Sequence, residues 1–183
     1  MSKVAFQGEL GAYSHIAAKE LFPDAKITTC STFEETFRLA HRDSSYKVLI
    51  PIENSLAGRV ADIHYLLPKY KLQIYGEHFQ RVEHNLLSIQ SAKLSDIKFV
   101  RSHAQAIGQC QDLIIKNKFK TIISADTAGS AKDLSENNDK SIAAIASGLS
   151  AEIYNLKILK KNIEDESGNV TRFLIMGKDI QQP

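Results

Sequence analysis

Long apolar runs are missing. No stretch of the 183 residues approaches the ~18 apolar residues that a membrane-crossing helix needs, and MSKVAFQG opens directly into strand-like sequence without a secretory apolar segment. Cysteine is scarce: Cys30 and Cys110 lie far apart with no CxxC, so neither a disulfide framework nor a zinc ribbon is indicated, and both thiols are expected to be reduced and structural. The six histidines show no HExxH or other ligand spacing, so no metal is expected. Charge of one sign is lacking as well: 23 Lys and Arg face 21 Asp and Glu, scattered along the chain, which leaves no electrostatic footprint for nucleic acid. No repeat, low-complexity tract or Pro/Gly linker interrupts the chain, and SENNDK at 135–140 is the nearest thing to a loop insertion. The expectation is a soluble cytoplasmic protein with no membrane or nucleic-acid partner.

What is present is globular. The hydrophobic fraction is 43% and the charged fraction 24%, near the average for folded domains, and the length suits one domain or two small lobes. Short apolar runs alternate with segments of helical period, the pattern of βαβ units and a mainly parallel sheet. VAF at 4–6 reads as a strand, followed by the loop QGELG and a helix in AYSHIAAKELF. ITTC at 27–30 is a second strand, and STFEETFRLAHR a helix with Ser31 and Glu34 at capping-box spacing. KVLIPIE at 47–53 is a strand broken by Pro51, SLAGRVADIHYLL a helix ended by Pro68, and 72–89 a long extended crossover.

Three further strand and helix pairs follow: KFV with HAQAIGQCQDLII, TIIS with DTAGSAKDL, and SIAAI with ASGLSAEIY. LKILKKNIED and NVTRFLIMG are then strands that return to the first half. The fold class is α/β, with two α/β lobes around a central cleft: lobe one from 1–76 plus 160–183, lobe two from 77–159, joined by two crossings.

In open α/β sheets ligands collect beyond the carboxyl ends of strands, where helix N-termini offer free N–H groups. The ends here carry QGELGAYS with Gly8, Gly11, Tyr13 and Ser14; PIENSLAG with Glu53, Asn54, Ser55 and Gly58; RSHAQA with Ser102, His103 and Gln105; and ADTAGSA with Thr127, Ala128, Gly129 and Ser130. Any one of these Ser, Thr or Asn residues reads first as an ordinary N-cap. Jointly they suit a small-anion site lined by backbone N–H and hydroxyl groups.

GAYSHIAA, PIENSLAG, SHAQAIGQC, DTAGSAK, AAIAS and NVTRFL occur in that order between Val4 and Gly177, and through them the chain resembles prephenate dehydratases. The family pattern has proline where Ala104 stands. The resemblance implies a fold similar to that of type II periplasmic binding proteins and the conversion of prephenate to phenylpyruvate, water and carbon dioxide, with no cofactor. It implies Thr171 as hydrogen-bond donor to the leaving hydroxyl. Arg172 is expected to bind a carboxylate or to form a structural ion pair, and since neighbouring strand residues face opposite ways, it joins Thr171 only if the strand is irregular or its side chain reaches round the end. Phe173 either walls a ring pocket or belongs to the core, and Asn169 precedes them in the motif. Glu53 either orients Asn54, Ser55 or a backbone N–H, or serves as the acid. His103 either assists electrostatically or is a helix-start histidine bonded to backbone.

Arogenate dehydratase is the neighbouring alternative, and a non-catalytic carboxylate sensor on the binding-protein fold is the alternative of another class. Family members commonly dimerise, so a homodimer is expected. The family's C-terminal ACT domain is expected to be absent, and strong phenylalanine inhibition with it.

Overall fold

The computed structural model describes residues 2 to 178. In chain order the first half forms β1 (Lys3–Gln7), α1 (Tyr13–Leu21), β2 (Lys26–Cys30), α2 (Phe33–Arg42), β3 (Tyr46–Asn54), β4 (Gly58–Arg59), α3 (Ala61–Tyr70) and β5 (Gln73–Arg81). The second forms β6 (Asn85–Ser88), a 3-10 turn (Leu94–Asp96), β7 (Phe99–Ser102), α4 (Ala104–Gly108), α5 (Gln111–Asn117), β8 (Lys120–Ile123), α6 (Thr127–Asn137), β9 (Ile142–Ala146), α7 (Gly148–Ile153), β10 (Lys157–Lys160) and β11 (Val170–Gly177). The α/β class is as expected, and the chain divides into two compact units, one from 2–9, 13–81 and 169–178, the other from 10–12 and 82–168. The main crossings fall at 81/82 and 168/169, later than the expected 76/77 and 159/160, and the chain makes an additional excursion at 10–12.

The first unit holds a sheet in the order β2-β1-β3-β11-β5, with β4 paired to β3. β1 runs parallel to β2 and β3, while β11 is antiparallel to both β3 and β5. The sheet is mixed, not mainly parallel, because β11, from the far end of the chain, is inserted between β3 and β5 and runs antiparallel to both. Period-2 alternation splits its core between two faces. Val4, Phe6, Leu49 and Phe173 pack with Ala17 and Ala18 of α1, whereas Ala5, Val48, Ile50, Leu174 and Met176 pack with Phe37 and Ala40 of α2 and Ile63 and Leu66 of α3.

Local chemistry moved several expected boundaries. The cap of α2 is Thr32 and not Ser31: Thr32 Oγ1 accepts from the Glu35 N–H at 3.0 Å, and the Glu35 carboxylate accepts from Ser31 N–H and Oγ, both at 2.8 Å. The helix expected from Ser55 begins only at Ala61. Asn54 Oδ1 accepts from the N–H groups of Leu56 and Ala57 and turns the chain, and Gly58, at φ +80°, starts the short strand β4. α3 then runs through Pro68 to Tyr70 and closes at Lys71, in the left-handed region, whose N–H donates to Leu67.

In the second unit the sheet order is β10-β6-β9-β7-β8, with β7, β8 and β9 parallel and β6 and β10 antiparallel to their neighbours. Its core is built on Leu86, Leu87, Val100, Leu134 and Ile145. The LKILKK strand stays here as β10, so only β11 returns to the first unit. The single helix expected after β7 is two, because the Asp165 carboxylate accepts from the N–H groups of Gln111 and Asp112 and caps a fresh start at Cys110.

The 10–12 segment is held to α7 by its carbonyls. Gly11 O accepts from Ser147 Oγ at 2.5 Å and Ser150 Oγ at 3.1 Å, and Leu10 O accepts from Tyr154 Oη at 2.8 Å. Gly11 has φ +93°, and a Cβ there would lie 2.5 Å from Ser150 Oγ and 2.9 Å from Ser150 Cα. Gly11→Ala is therefore expected to destabilise the protein by about 3 kcal/mol in urea unfolding; an unchanged midpoint would show that the segment yields freely.

Candidate functional site

β11 lies between β3 and β5, so each residue at its start has a neighbour on both sides. Thr171 pairs with Asn54 on β3 and Gln80 on β5, and Arg172 with Glu53 and Phe79. Beyond them the register with β3 slips: Phe173 pairs with Pro51, and Ile52 is the extra residue. Pro51 has no N–H to give the ladder, and the bulge sits beside it. Because directly paired residues share a face, the slip puts Asn54 with Thr171 on the α1 side of the sheet and Glu53 with Arg172 on the other. Against β5 the register through Thr171, Arg172 and Phe173 is regular, so alternation along β11 itself is kept.

Asn54 organises the Thr171 side. Its Nδ2 donates to Asn169 Oδ1 at 2.7 Å, Thr171 Oγ1 at 3.0 Å and Val170 O at 3.3 Å, while its Oδ1 accepts the two loop N–H groups already described. Ser55 adds a second tie: its N–H donates to Val170 O at 2.9 Å, and its Oγ accepts from Val170 N–H at 3.0 Å. Asn169 is buried. The chemical consequence is at Thr171: its oxygen is already an acceptor, so its single O–H proton remains to be given away.

Arg172 is engaged elsewhere. Nε and Nη2 lie 2.7 and 2.6 Å from Glu77 Oε2, Nη1 lies 4.0 Å from Glu53 Oε2, and the guanidinium carbon stands 5.9 Å from the Phe79 ring centre. Of the two expectations for Arg172, the ion pair is the one formed, and the strand irregularity falls on β3, where it does not turn Arg172 towards Thr171. Glu53, exposed and on the Arg172 face, is likewise not brought to the Thr171 hydroxyl. Phe173 is 1% exposed within the core against α1, so it is core and not a pocket wall.

Tyr13 opens α1, and Ser14 is buried in its first turn beside His15, whose ring stacks on Phe6. Burial, with Lys19 adding to it, lowers the His15 pKa and so favours the neutral ring. The remaining candidates belong to the second unit, where most lie at the starts of α4 and α6. Ser102, fully buried, donates to Ile145 O at 2.7 Å. His103 caps α4, its Nδ1 accepting from the Gln105 N–H at 3.2 Å, while the Gln105 side chain is exposed. Asp126 caps α6: its Oδ1 accepts from the Gly129 N–H at 2.6 Å, and its carbonyl accepts from Ser130 Oγ at 2.7 Å. Thr127 is the first residue of that helix and Ala128 is buried.

Sequence reasoning missed Gln80 and Glu77. Gln80 is buried opposite Thr171, with Nε2 donating to Arg81 O at 3.2 Å and Oε1 facing His78 Nε2 at 3.3 Å. Both sit in an extended run with no motif, and only strand register brings them beside β11. Among the described residues no group of three or more His, Cys, Asp and Glu side chains is placed to hold a metal ion. Both cysteines are buried, and burial raises both thiol pKa values, with Asp165 and Glu164 adding to the effect at Cys110.

The prephenate dehydratase family model matches residues 4–181. The bifunctional N-acyl-homoserine lactone acylase/prephenate dehydratase of Komagataeibacter europaeus is 42% identical over 175 residues, 96% of this chain and 62% of that protein. Arogenate dehydratase/prephenate dehydratase 2 of Arabidopsis thaliana is 37% identical over 97% of this chain and 46% of its own length. Among solved structures, the prephenate dehydratase of Staphylococcus aureus superposes with a TM-score of 0.83 at 27% identity, covering 98% of this chain and 67% of that one. The Arthrobacter aurescens prephenate dehydratase in complex with L-Phe gives 0.90 at 25%, covering 99% and 61%. The chain thus spans about half to two thirds of the length of these proteins.

Asn54→Ala strips partners from a buried carboxamide, two loop N–H groups and the Thr171 hydroxyl at once. The expected loss is about 2–4 kcal/mol of unfolding free energy, read by denaturant titration. Iodoacetamide is expected to leave Cys30 and Cys110 unmodified in the native protein and to alkylate both in denaturant, read by mass spectrometry; rapid native labelling would contradict the raised pKa values.

Proposed function

Because the chain belongs to the prephenate dehydratase family, we propose that it converts prephenate to phenylpyruvate, water and carbon dioxide, as a lyase of aromatic amino-acid biosynthesis. The observation that carries this is the hydrogen bond from Asn54 Nδ2 to Thr171 Oγ1 at 3.0 Å. Prephenate bears a ring carboxylate, a pyruvyl carboxylate and a ring hydroxyl opposite the first. When the bond between ring and carboxylate breaks, its electron pair enters the ring and the carbon–oxygen bond to the hydroxyl breaks, so the ring becomes aromatic as carbon dioxide and hydroxide depart. The reaction needs a donor at the leaving oxygen and a fixed alignment of the breaking bond with the ring. Thr171 is that donor. A threonine is too weak an acid to protonate first, so its O–H stabilises charge as it develops on the oxygen. Asn54, held by Asn169, fixes the hydroxyl rotor by occupying its acceptor side.

The anionic substrate is met at the same end of the sheet. β1 and β3 run parallel and β11 antiparallel, so the exit of β1, the exit of β3 and the start of β11 coincide. α1, which starts with Tyr13 and has no acidic residue in its first turn, offers N–H groups there to a carboxylate. Arg172 is given no substrate contact, being paired to Glu77 on the other face, and Glu53 is given a supporting role. Arogenate, with an amine in place of the keto group, is the alternative substrate, in keeping with the arogenate dehydratases among the relatives. The acylase half of the Komagataeibacter name would call for an activated nucleophile, and neither buried thiol suits it. A homodimer in the cytoplasm completes the proposal.

The test incubates the protein separately with prephenate, arogenate and an N-acyl-homoserine lactone, and quantifies phenylpyruvate, phenylalanine and free homoserine lactone. Prephenate turnover is expected, with kcat reduced ~10²–10³-fold in Thr171→Ala and KM little changed. Tight binding without turnover of any substrate would favour a sensor, and a Thr171→Ala defect confined to KM would remove Thr171 as the donor.

A further inference from the structure

We propose that Glu77 is a positioning residue that acts through Arg172 to hold the start of β11, and with it Thr171, in place; the proposal rests on the role given to Thr171 above. Arg172 follows Thr171 directly on β11 and lies on the opposite face of the sheet. Glu77 stands on β5 two residues before Phe79, the partner of Arg172, and therefore on the same face as Arg172 and diagonal to it. Its Oε2 takes both N–H groups of one edge of the guanidinium, at 2.7 and 2.6 Å, and the Phe79 ring lies beside the same group. The remaining nitrogen, Nη1, is 4.0 Å from Glu53 on β3. One side chain thus bridges both strands that flank β11.

The place of this bridge is what gives it a task. Between Arg172 and Phe173 the pairing with β3 is interrupted by the extra residue Ile52, so regular ladder bonds do not by themselves dictate how β11 lies against β3. The choice between the two carboxylates then decides where Arg172, and the backbone it carries, is drawn. Glu77 wins by distance. Without it, Arg172 has Glu53 as its acidic partner and is pulled towards the bulged side, displacing the neighbouring Thr171 hydroxyl from Asn54. Both side chains of the pair are partly solvated, 39% and 44% exposed, and ion pairs of that kind contribute little to global stability. The effect of losing it is therefore expected in turnover rather than in melting temperature.

The experiment compares Glu77→Ala, Glu77→Gln, Arg172→Glu and the charge swap Glu77→Arg/Arg172→Glu in the full chain. Misplacement of a donor by a fraction of an ångström predicts that Glu77→Ala lowers kcat about tenfold with KM within about twofold of the parent. Glu77→Gln, which keeps an acceptor for one N–H, should recover part of the loss, and the swap should recover much of the larger loss of Arg172→Glu, all at nearly constant melting temperature. Hydrogen exchange at the Val170 and Thr171 amides gives a readout that needs no turnover: faster in Glu77→Ala and slowed again in the swap. Unchanged kcat in Glu77→Ala, or exchange that does not respond to it, overturns the proposal. A swap as inactive as Arg172→Glu, with raised KM, also overturns it and assigns Arg172 to a substrate carboxylate. If neither prephenate nor arogenate is turned over by the parent, the function proposed above fails, while the exchange pattern still decides for or against the clamp.

Discussion

One carboxamide holds the candidate site together. Asn54 ends β3, and its side chain bonds in both directions, to the loop that follows it and to a strand more than a hundred residues away in sequence. A carboxamide is suited to this because it offers two donors and an accepting oxygen from one rigid plane. Asn169, which it meets on the far side, is buried, so part of this network is closed off from water. Removal of any partner therefore disturbs the rest: the loop that makes β4 possible, the entry of β11 and the orientation of the Thr171 hydroxyl depend on the same group.

The Ile52 bulge is the second constraint, and it works through parity. In a regular ladder a residue's face is settled by odd or even position, and one inserted residue reverses the assignment on one side of it. Here the insertion brings Asn54 to the face of Thr171 and Glu53 to the face of Arg172. Two residues adjacent in the chain, Thr171 and Arg172, then enter different chemical neighbourhoods, one of carboxamides around a hydroxyl, the other of two carboxylates around a cation.

Much of the fold was legible beforehand. The alternation of apolar runs and helical segments showed the α/β class, and most strands and helices stand within a few residues of where the pattern puts them. The errors fall where a single side chain decides a boundary: Thr32 over Ser31 at the start of α2, the Asn54 turn ahead of α3, the Asp165 carboxylate that divides α4 from α5. Strand membership was less legible than strand existence. LKILKK reads as extended in any sheet, and only pairing with β6 assigns it. Of the candidate hydroxyls in the second unit, Ser102 and Ser130 donate to backbone carbonyls, bonds that strand and helix packing provide and that residue type alone does not reveal.

The sequence by itself determined that this chain is an α/β protein whose ordered motifs carry the prephenate dehydratase signature, because residue order and hydrophobic period are local properties that survive without coordinates. It also determined which residue types could donate a proton or hold a carboxylate. Tertiary structure alone decided which of them meet. That Thr171 accepts from Asn54, that Arg172 pairs with Glu77 on the face opposite Thr171, and that Gln80 stands opposite Thr171 all follow from strand register, and register is set by contacts between segments far apart in the chain, about which local pattern is silent.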